Sequence, residues 1–417
     1  MKPEDTGIQR NEGAIATPAA GGPETVRSTG RTIPVLLWFS SGLAIALAAR
    51  LFFFDFESGD YRAWLRPWYD FFIVHGRWHG LGVLTDRVSN YPPLYMYLVS
   101  LSTLLPIREL YAIKTLSVVC DYLAAWYVWR LVKRRCGTQI QAYGSALLLL
   151  FLPTVVLNSS MWGQCDIMYT TGFLASLFYV LEKRPVAALV AFGISCSLKP
   201  QAIFWCPLLA GLFVTRQLPW KLFWIPAAVY VASCLPAIAA GRPPEEVLLH
   251  WGRVRDRAGL VHGATPSWYQ FIGDSESPLL WLAGVLLALS CTGLLVFSMK
   301  RHLDKGALQS GQLVAFALLS VLFPPFFLPG MHQRYFFAAD VISLVYAFYF
   351  PFGWYAALLV QVASLTAYCP FLFHVTPPYL EVLPILLVIA AGWTIKDLRI
   401  RLVTQHDTGV AVGNISA

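Results

Sequence analysis

Apolar residues run in long blocks through most of this chain, and polar residues gather in short stretches between them. The blocks cover 34–54, 110–132, 139–157, 167–182, 185–198, 202–214, 222–240, 278–299, 308–328, 336–350, 352–369 and 378–395. Several approach the ~20 residues at which an apolar helix crosses ~30 Å of hydrocarbon. They predict an all-α, polytopic transmembrane helical bundle of about twelve spans. The block 94–105 is too short to cross and reads as an interfacial helix on the outer surface, started rigidly by Pro92 and Pro93. The runs near 185–214 are short and interrupted at Lys199 and Pro200, which a membrane tolerates only where protein or a wet cavity satisfies the backbone.

Composition agrees with the pattern. Of 417 residues, 57% are hydrophobic and 13% charged, against roughly 25% charged in a soluble domain. The net charge of +8 comes with short basic connectors, Lys133-Arg134-Arg135 and Lys300-Arg301 among them, which mark cytoplasmic loops rather than a nucleic-acid surface. The predicted organisation is a disordered cytoplasmic tail (1–33) with no signal peptide, a transmembrane domain (34–398) and a second cytoplasmic tail (399–417). Two long outer loops interrupt the domain, 55–109, which holds short interfacial helices, and 241–277. The eight cysteines lie singly, mostly inside apolar runs, and suggest inert thiols with neither disulfide framework nor zinc spacing. No cofactor or metal is indicated.

The polar stretches carry the candidate chemistry. Residues 55–93 concentrate Asp55, Glu57, Asp60, Asp70 and Asp86 with Arg62, Arg66, Arg77 and Arg87, and with Trp64, Trp68 and Trp78. Such a patch suits proton chemistry on a bound sugar phosphate. A solvated loop with an aromatic belt explains it equally well. In the outer loop 158–166, Trp162 can stack on a sugar, and Gln164 and Asp166 can bond hydroxyls. A helix start with Asp166 at its positive end is the plainer reading. Lys199 and Gln201 sit at the broken helix, where an ionisable residue suggests a phosphate partner. His332 and Arg334 offer hydrogen bonds and a planar fork to phosphate oxygens. Asp121 and Asp340 lie in or beside spans and suggest pairing with a cation of a neighbouring helix or of the site. Arg242, His250, Arg253, Arg255, Arg257 and His262 make the loop 241–277 basic, as if covering a phosphate or an anionic headgroup. Trp268, Tyr269 and Gln270 add a sugar-stacking end.

The ordered set Gly59-Asp60-Tyr61, Tyr91-Pro92-Pro93, Trp162-Gly163-Gln164-Cys165-Asp166, Leu198-Lys199-Pro200-Gln201 and His332-Gln333-Arg334-Tyr335 resembles the GT-C superfamily of integral-membrane glycosyltransferases. It looks closest to bacterial proteins related to the second mannosyltransferase of glycosylphosphatidylinositol assembly, and is similar to the dolichyl-phosphate-glucose-dependent glucosyltransferases. The resemblance implies a GT-C-like fold and a hexosyltransferase using a polyprenyl-phosphate sugar, mannose for example. It implies Asp60 as general base, Lys199, His332 and Arg334 at the donor phosphate, and Tyr61, Tyr91, Trp162, Gln164, Asp166 and Gln201 at the substrates. It also implies a bacterial inner membrane, with the site facing the periplasm and in contact with membrane lipids. Gln333 stands where Glu would be expected. The acceptor, whether glycan, lipid or protein, is not specified. A transporter or flippase for lipid-linked sugars also fits many spans and a broken helix, but it calls for a polar site near the midplane.

Overall fold

Proline opens many of the helices, at the first-turn positions where its missing N–H costs nothing. The structure, a computed structural model, describes residues 29–408 except 86, 137, 251–259, 274 and 276. The predicted tail before residue 29, Asp86, Arg253, Arg255, Arg257 and the C-terminal residues 409–417 lie outside the described residues.

Each apolar block carries helix. In chain order these are α1 (Thr29–Phe52), α2 (Arg66–His75), α3 (Arg77–Val83), α4 (Pro93–Ser102), α5 (Glu109–Arg135), α6 (Gln139–Phe151), α7 (Pro153–Val156), α8 (Asp166–Leu181) and α9 (Pro185–Leu198). They continue as α10 (Cys206–Val214), α11 (Ile225–Ala239), α12 (Pro244–Leu248), α13 (Pro278–Leu303), α14 (Ser310–Phe327), α15 (Phe337–Tyr349), α16 (Gly353–Leu372) and α17 (Val382–Thr408). The β-structure described is one two-residue parallel pair, β1 (Val261–His262) with β2 (Met331–His332).

The predicted twelve crossings are not reached by length and composition. Among the described residues, five helices qualify: Ile33–Phe52, Trp220–Ala239, Pro278–Leu303, Ser310–Phe327 and Gly353–Leu372. The pair Gln139–Phe151 and Pro153–Trp162, bent by 50°, makes a sixth. Of the helices between them, α5 is long enough at 27 residues but not apolar enough, and others are short; α8, with 16 residues, rises only about 24 Å. Burial explains why they can be short. The window of Ser310–Phe327 is 83% buried and that of Ile33–Phe52 only 11%, so α14 forms the centre and α1 the periphery. Nearly every side chain of α8 and α15 is buried too. A Cβ on Gly172 of α8 would fall 2.0 Å from Ser195 Oγ and 2.8 Å from Ala191 O of α9, so this glycine sets how closely the two helices pack.

A buried ion pair ties the first helices together. Arg50 Nε donates to Asp121 Oδ2 at 2.7 Å, and its Nη1 donates to Leu150 O at 2.9 Å. Ser159 donates to the same Asp121 oxygen at 2.7 Å. Structural pairing therefore holds for Asp121. Asp340 differs: both its oxygens are buried without a hydrogen bond, and it pairs with no cation among the described residues.

Two further expectations are corrected. Residues 158–166 are not an outer loop. Residues Leu157–Trp162 form a buried π-helical turn whose polar side chains donate to Asp166, Asp121 and the preceding carbonyls, so their polarity reports a network rather than solvent. The helix at 93–102 does not merely lie on the surface, since Tyr95, Met96 and Val99 are buried in the main core.

Candidate active site

Five segments distant in sequence meet at one end of the bundle: the turn after α1, residues 89–91, the Trp162–Cys165 bend, the α9–α10 break and the β2 segment. Local chemistry sets each one. Lys114 of α5, a buried residue, donates to the carbonyls of Phe53, Phe54 and Phe56 at 2.9, 3.0 and 2.7 Å. Its ammonium caps the end of α1, where backbone acceptors lack helical partners. Ser58 Oγ then donates to Trp162 O at 2.7 Å and accepts from Tyr61 N, which ties the turn bearing Asp60 to the second segment. Gly163 adopts φ +79°, the left-handed geometry that ends a helix cheaply only for glycine. The reversal brings Gln164 N to Asn158 O at 2.9 Å and turns the Gln164 side chain toward Asp60. At the next break Lys199 is extended and Pro200 cannot continue the helix.

Replacing Lys114 by Met leaves the Phe54 and Phe56 carbonyls without this donor, while Phe53 O keeps its bond from Phe56 N at 3.1 Å. We expect a loss of about 2 kcal/mol, at roughly 1 kcal/mol or more for each buried group left unsatisfied. A lowered thermal midpoint checks this, with Lys114→Arg retaining most of the stability.

Asp60 is the focus of the geometry. Its Oδ2 accepts from Trp162 Nε1 at 2.8 Å, Gln164 Nε2 at 2.5 Å and Arg334 Nη1 at 3.3 Å. Its Oδ1 accepts from none of the described residues. The two ion-pair side chains keep 17% (Asp60) and 13% (Arg334) of their surface exposed. Arg334 also lies over the Trp162 and Tyr335 rings, 5.6 and 5.8 Å from their centroids. Burial opposes the charge on Arg334, but Asp60, together with Tyr91, Tyr335 and Asp166, outweighs it, and the guanidinium stays protonated well above its usual range. Among the described residues its Nε has no hydrogen-bond partner, nor have the buried Gln201 Oε1 and Gln333 Oε1. Unspent polar atoms of this kind concentrate where a ligand binds.

The cavity in front of Asp60 holds about 320 Å³. Asp60, Tyr91, Gln164, Lys199, Gln201, His332 and Arg334 all line it. Three other predicted substrate contacts do not. Tyr61 is buried, with its hydroxyl turned to Glu109 Oε1 at 3.1 Å. Trp162 is buried behind Asp60, stacked on Phe371 at 4.6 Å. Asp166 is fully buried in an ion pair with Lys199 and accepts from Asn158 Nδ2 at 2.9 Å. Lys199 is therefore no lone ammonium awaiting a phosphate. It is caged by Tyr91, Tyr169 and Tyr335, with ring centroids 5.6 to 5.9 Å from Nζ.

The rival carboxylates are engaged elsewhere. Asp55 and Glu57 pair with Arg108 at 3.4 and 2.5 Å, and Asp70 with Arg66 at 3.6 Å. In the second long loop Arg242 and His250 are buried, the one beside Glu246 and the other against Asn90 O at 3.0 Å. Neither covers the cavity. Tyr269 and Gln270 hold the loop through Phe327 O and the carbonyls of Gly263 and Thr265. Among the described residues no cluster of three His, Cys, Asp or Glu could hold a metal ion.

Sequence reasoning missed Asn90 and Phe371 on the cavity wall, and Lys114 behind it. A lysine inside the apolar block 110–132 was a legible signal; an aromatic residue among many aromatics was none.

No curated protein matches the chain. Residues 90–325 match the family described as Glycosyltransferase family 87. This match supports a transferase but specifies neither donor nor sugar. Covering more than half of a chain with membrane-length helices, it places this protein in glycosyltransferase family 87.

Proposed function

We propose that the protein moves a hexose from a polyprenyl-phosphate donor to an acceptor hydroxyl, at the membrane face that holds the cavity. The observation that carries this reading is the division of labour at Asp60. One oxygen is held by three donors, and the other accepts from none of the described residues, in the cavity that also contains Arg334.

In the reaction, Asp60 Oδ1 takes the proton of the acceptor hydroxyl as that oxygen bonds to the anomeric carbon. The bond from the anomeric carbon to the phosphate oxygen breaks, and its electron pair leaves with the lipid phosphate. Arg334 and His332 stabilise that departing charge, the guanidinium fork being well matched to phosphate oxygens. Lys199 adds positive potential from behind, already shared with Asp166. Attack opposite the leaving group inverts the anomeric configuration.

The basic connectors Lys133–Arg135 and Lys300–Arg301 lie at the helix ends away from the cavity. On the positive-inside rule that end is cytoplasmic. The cavity then faces outward, toward the periplasm of a bacterial inner membrane, with the shorter buried helices crossing alongside the long ones.

The test is transfer of labelled hexose by the purified protein in liposomes, offering a polyprenyl-phosphate hexose or a nucleotide-activated hexose. Product is expected from the first donor only. Product from the nucleotide donor alone would refute the reading. Arg334→Lys keeps the charge but loses the fork, and kcat/KM for the lipid donor is expected to fall about 10²-fold.

A further inference from the structure

A second cavity lies at the end of the bundle away from Asp60. α13 starts beside the loop that reaches the site, and its 26 residues carry its C-terminus about 39 Å away. There α13, α14 and α17 enclose a groove of about 600 Å³. Its mouth carries Arg301, Lys305 and Arg399, all exposed. Below the mouth the lining is apolar, and Leu294 and Phe297 are 66% and 61% exposed on its flank. His302 is buried at the base, with its ring nitrogens 2.7 Å from Ser298 O and 3.3 Å from Leu398 O, which fixes α13 to α17. Asp397 on the same helix is turned away, accepting from Tyr346 at 2.5 Å.

The groove does not end there. Phe323 and Ile395 line both it and an almost wholly apolar cavity of about 260 Å³ formed by α14 and α17. From Arg399 to Leu387, its far lining residue, the trough follows 12 residues of α17, about 18 Å.

We infer that this trough binds an anionic phospholipid of the bilayer leaflet opposite the active site. The phosphate headgroup sits among Arg301, Lys305 and Arg399, and one acyl chain runs along α14 and α17. The charge fixes the occupant. A zwitterionic lipid brings its own cation to three cations and gains less than an anionic one, and basic pockets between membrane helices suit anionic headgroups. This assignment does not depend on the identity of the sugar donor.

The test is native mass spectrometry of the full protein after exposure to vesicles of phosphatidylglycerol and phosphatidylcholine in equal parts. Phosphatidylglycerol is expected to be retained in preference. Arg301→Gln with Arg399→Gln removes two headgroup contacts and should weaken retention about thirtyfold. Gly392→Phe fills the apolar end instead. A Cβ there meets nothing within 4 Å, so the fold should tolerate the ring while the acyl chain loses its place. Equal retention of the two lipids by the native protein would overturn the inference. So would unchanged retention in both variants. A prenyl phosphate that displaces phosphatidylglycerol, or a dimer lost on Gly392→Phe, would assign the trough to another occupant and likewise overturn it.

Discussion

Replacing Asp60 by Asn is expected to lower the rate of sugar transfer by about 10²- to 10⁴-fold, the contribution of a positioned general base. The substitution is nearly isosteric. The Asn oxygen can still accept from Trp162 and Gln164, as Asp60 Oδ2 does. The amide nitrogen then takes the place of Oδ1 and donates where a proton must be accepted. Loss of the charge also weakens the contact with Arg334, which sits 3.3 Å from the carboxylate. A modest fall in melting temperature therefore accompanies a large fall in kcat. Steady-state transfer assays alongside thermal unfolding separate the two effects. Transfer at the native rate would remove Asp60 from the chemistry.

Replacing Lys199 by Met is expected to destabilise the protein by about 3–5 kcal/mol, the usual cost of leaving one buried charge without its partner. The Lys199 and Asp166 side chains are 2% and 0% exposed. Asp166 would keep only its bond from Asn158. The double variant Lys199→Met with Asp166→Asn removes both charges and should recover most of that stability, since an ion pair and its neutral replacement are often close in energy. If Lys199 also supplies potential to the donor phosphate, the double variant folds but transfers slowly. Full activity in a stable double variant would make the pair purely structural. Chemical denaturation and transfer assays on the native protein and these two variants decide between these roles.

The contrast between these two residues shows what could be read from the sequence. The helical segments follow the apolar blocks closely, because length and hydrophobicity alone select them. The number of independent crossings does not follow, because helices such as α8 gain their burial from neighbours rather than from their own length. Lys199 and Arg334 stood out as polar residues at breaks in an apolar chain, whereas Asp60, one of five carboxylates in 55–93, was singled out by the family resemblance. Pairing was the hidden part. Asp60 and Arg334 are 274 positions apart, and nothing local indicates that they meet. Asp166 was expected at the substrates on the family resemblance and on its place in a polar stretch, yet the packing of α8 against α9 encloses it with Lys199. Lys114 was overlooked for a related reason. In an apolar run a lysine suggests a snorkelling side chain, and only the structure reveals the three carbonyls it binds.

The central claim is that the cavity at Asp60 binds a lipid phosphate beside Arg334 and presents Asp60 Oδ1 to the acceptor. Its most direct test is an experimental density map of the protein with a bound polyprenyl phosphate. The account predicts phosphate density within hydrogen-bond reach of Arg334 and His332, about 3 Å, with the prenyl chain leaving toward the bilayer. A phosphate lodged near the middle of the bundle, away from Asp60, would contradict it and favour a transport pathway.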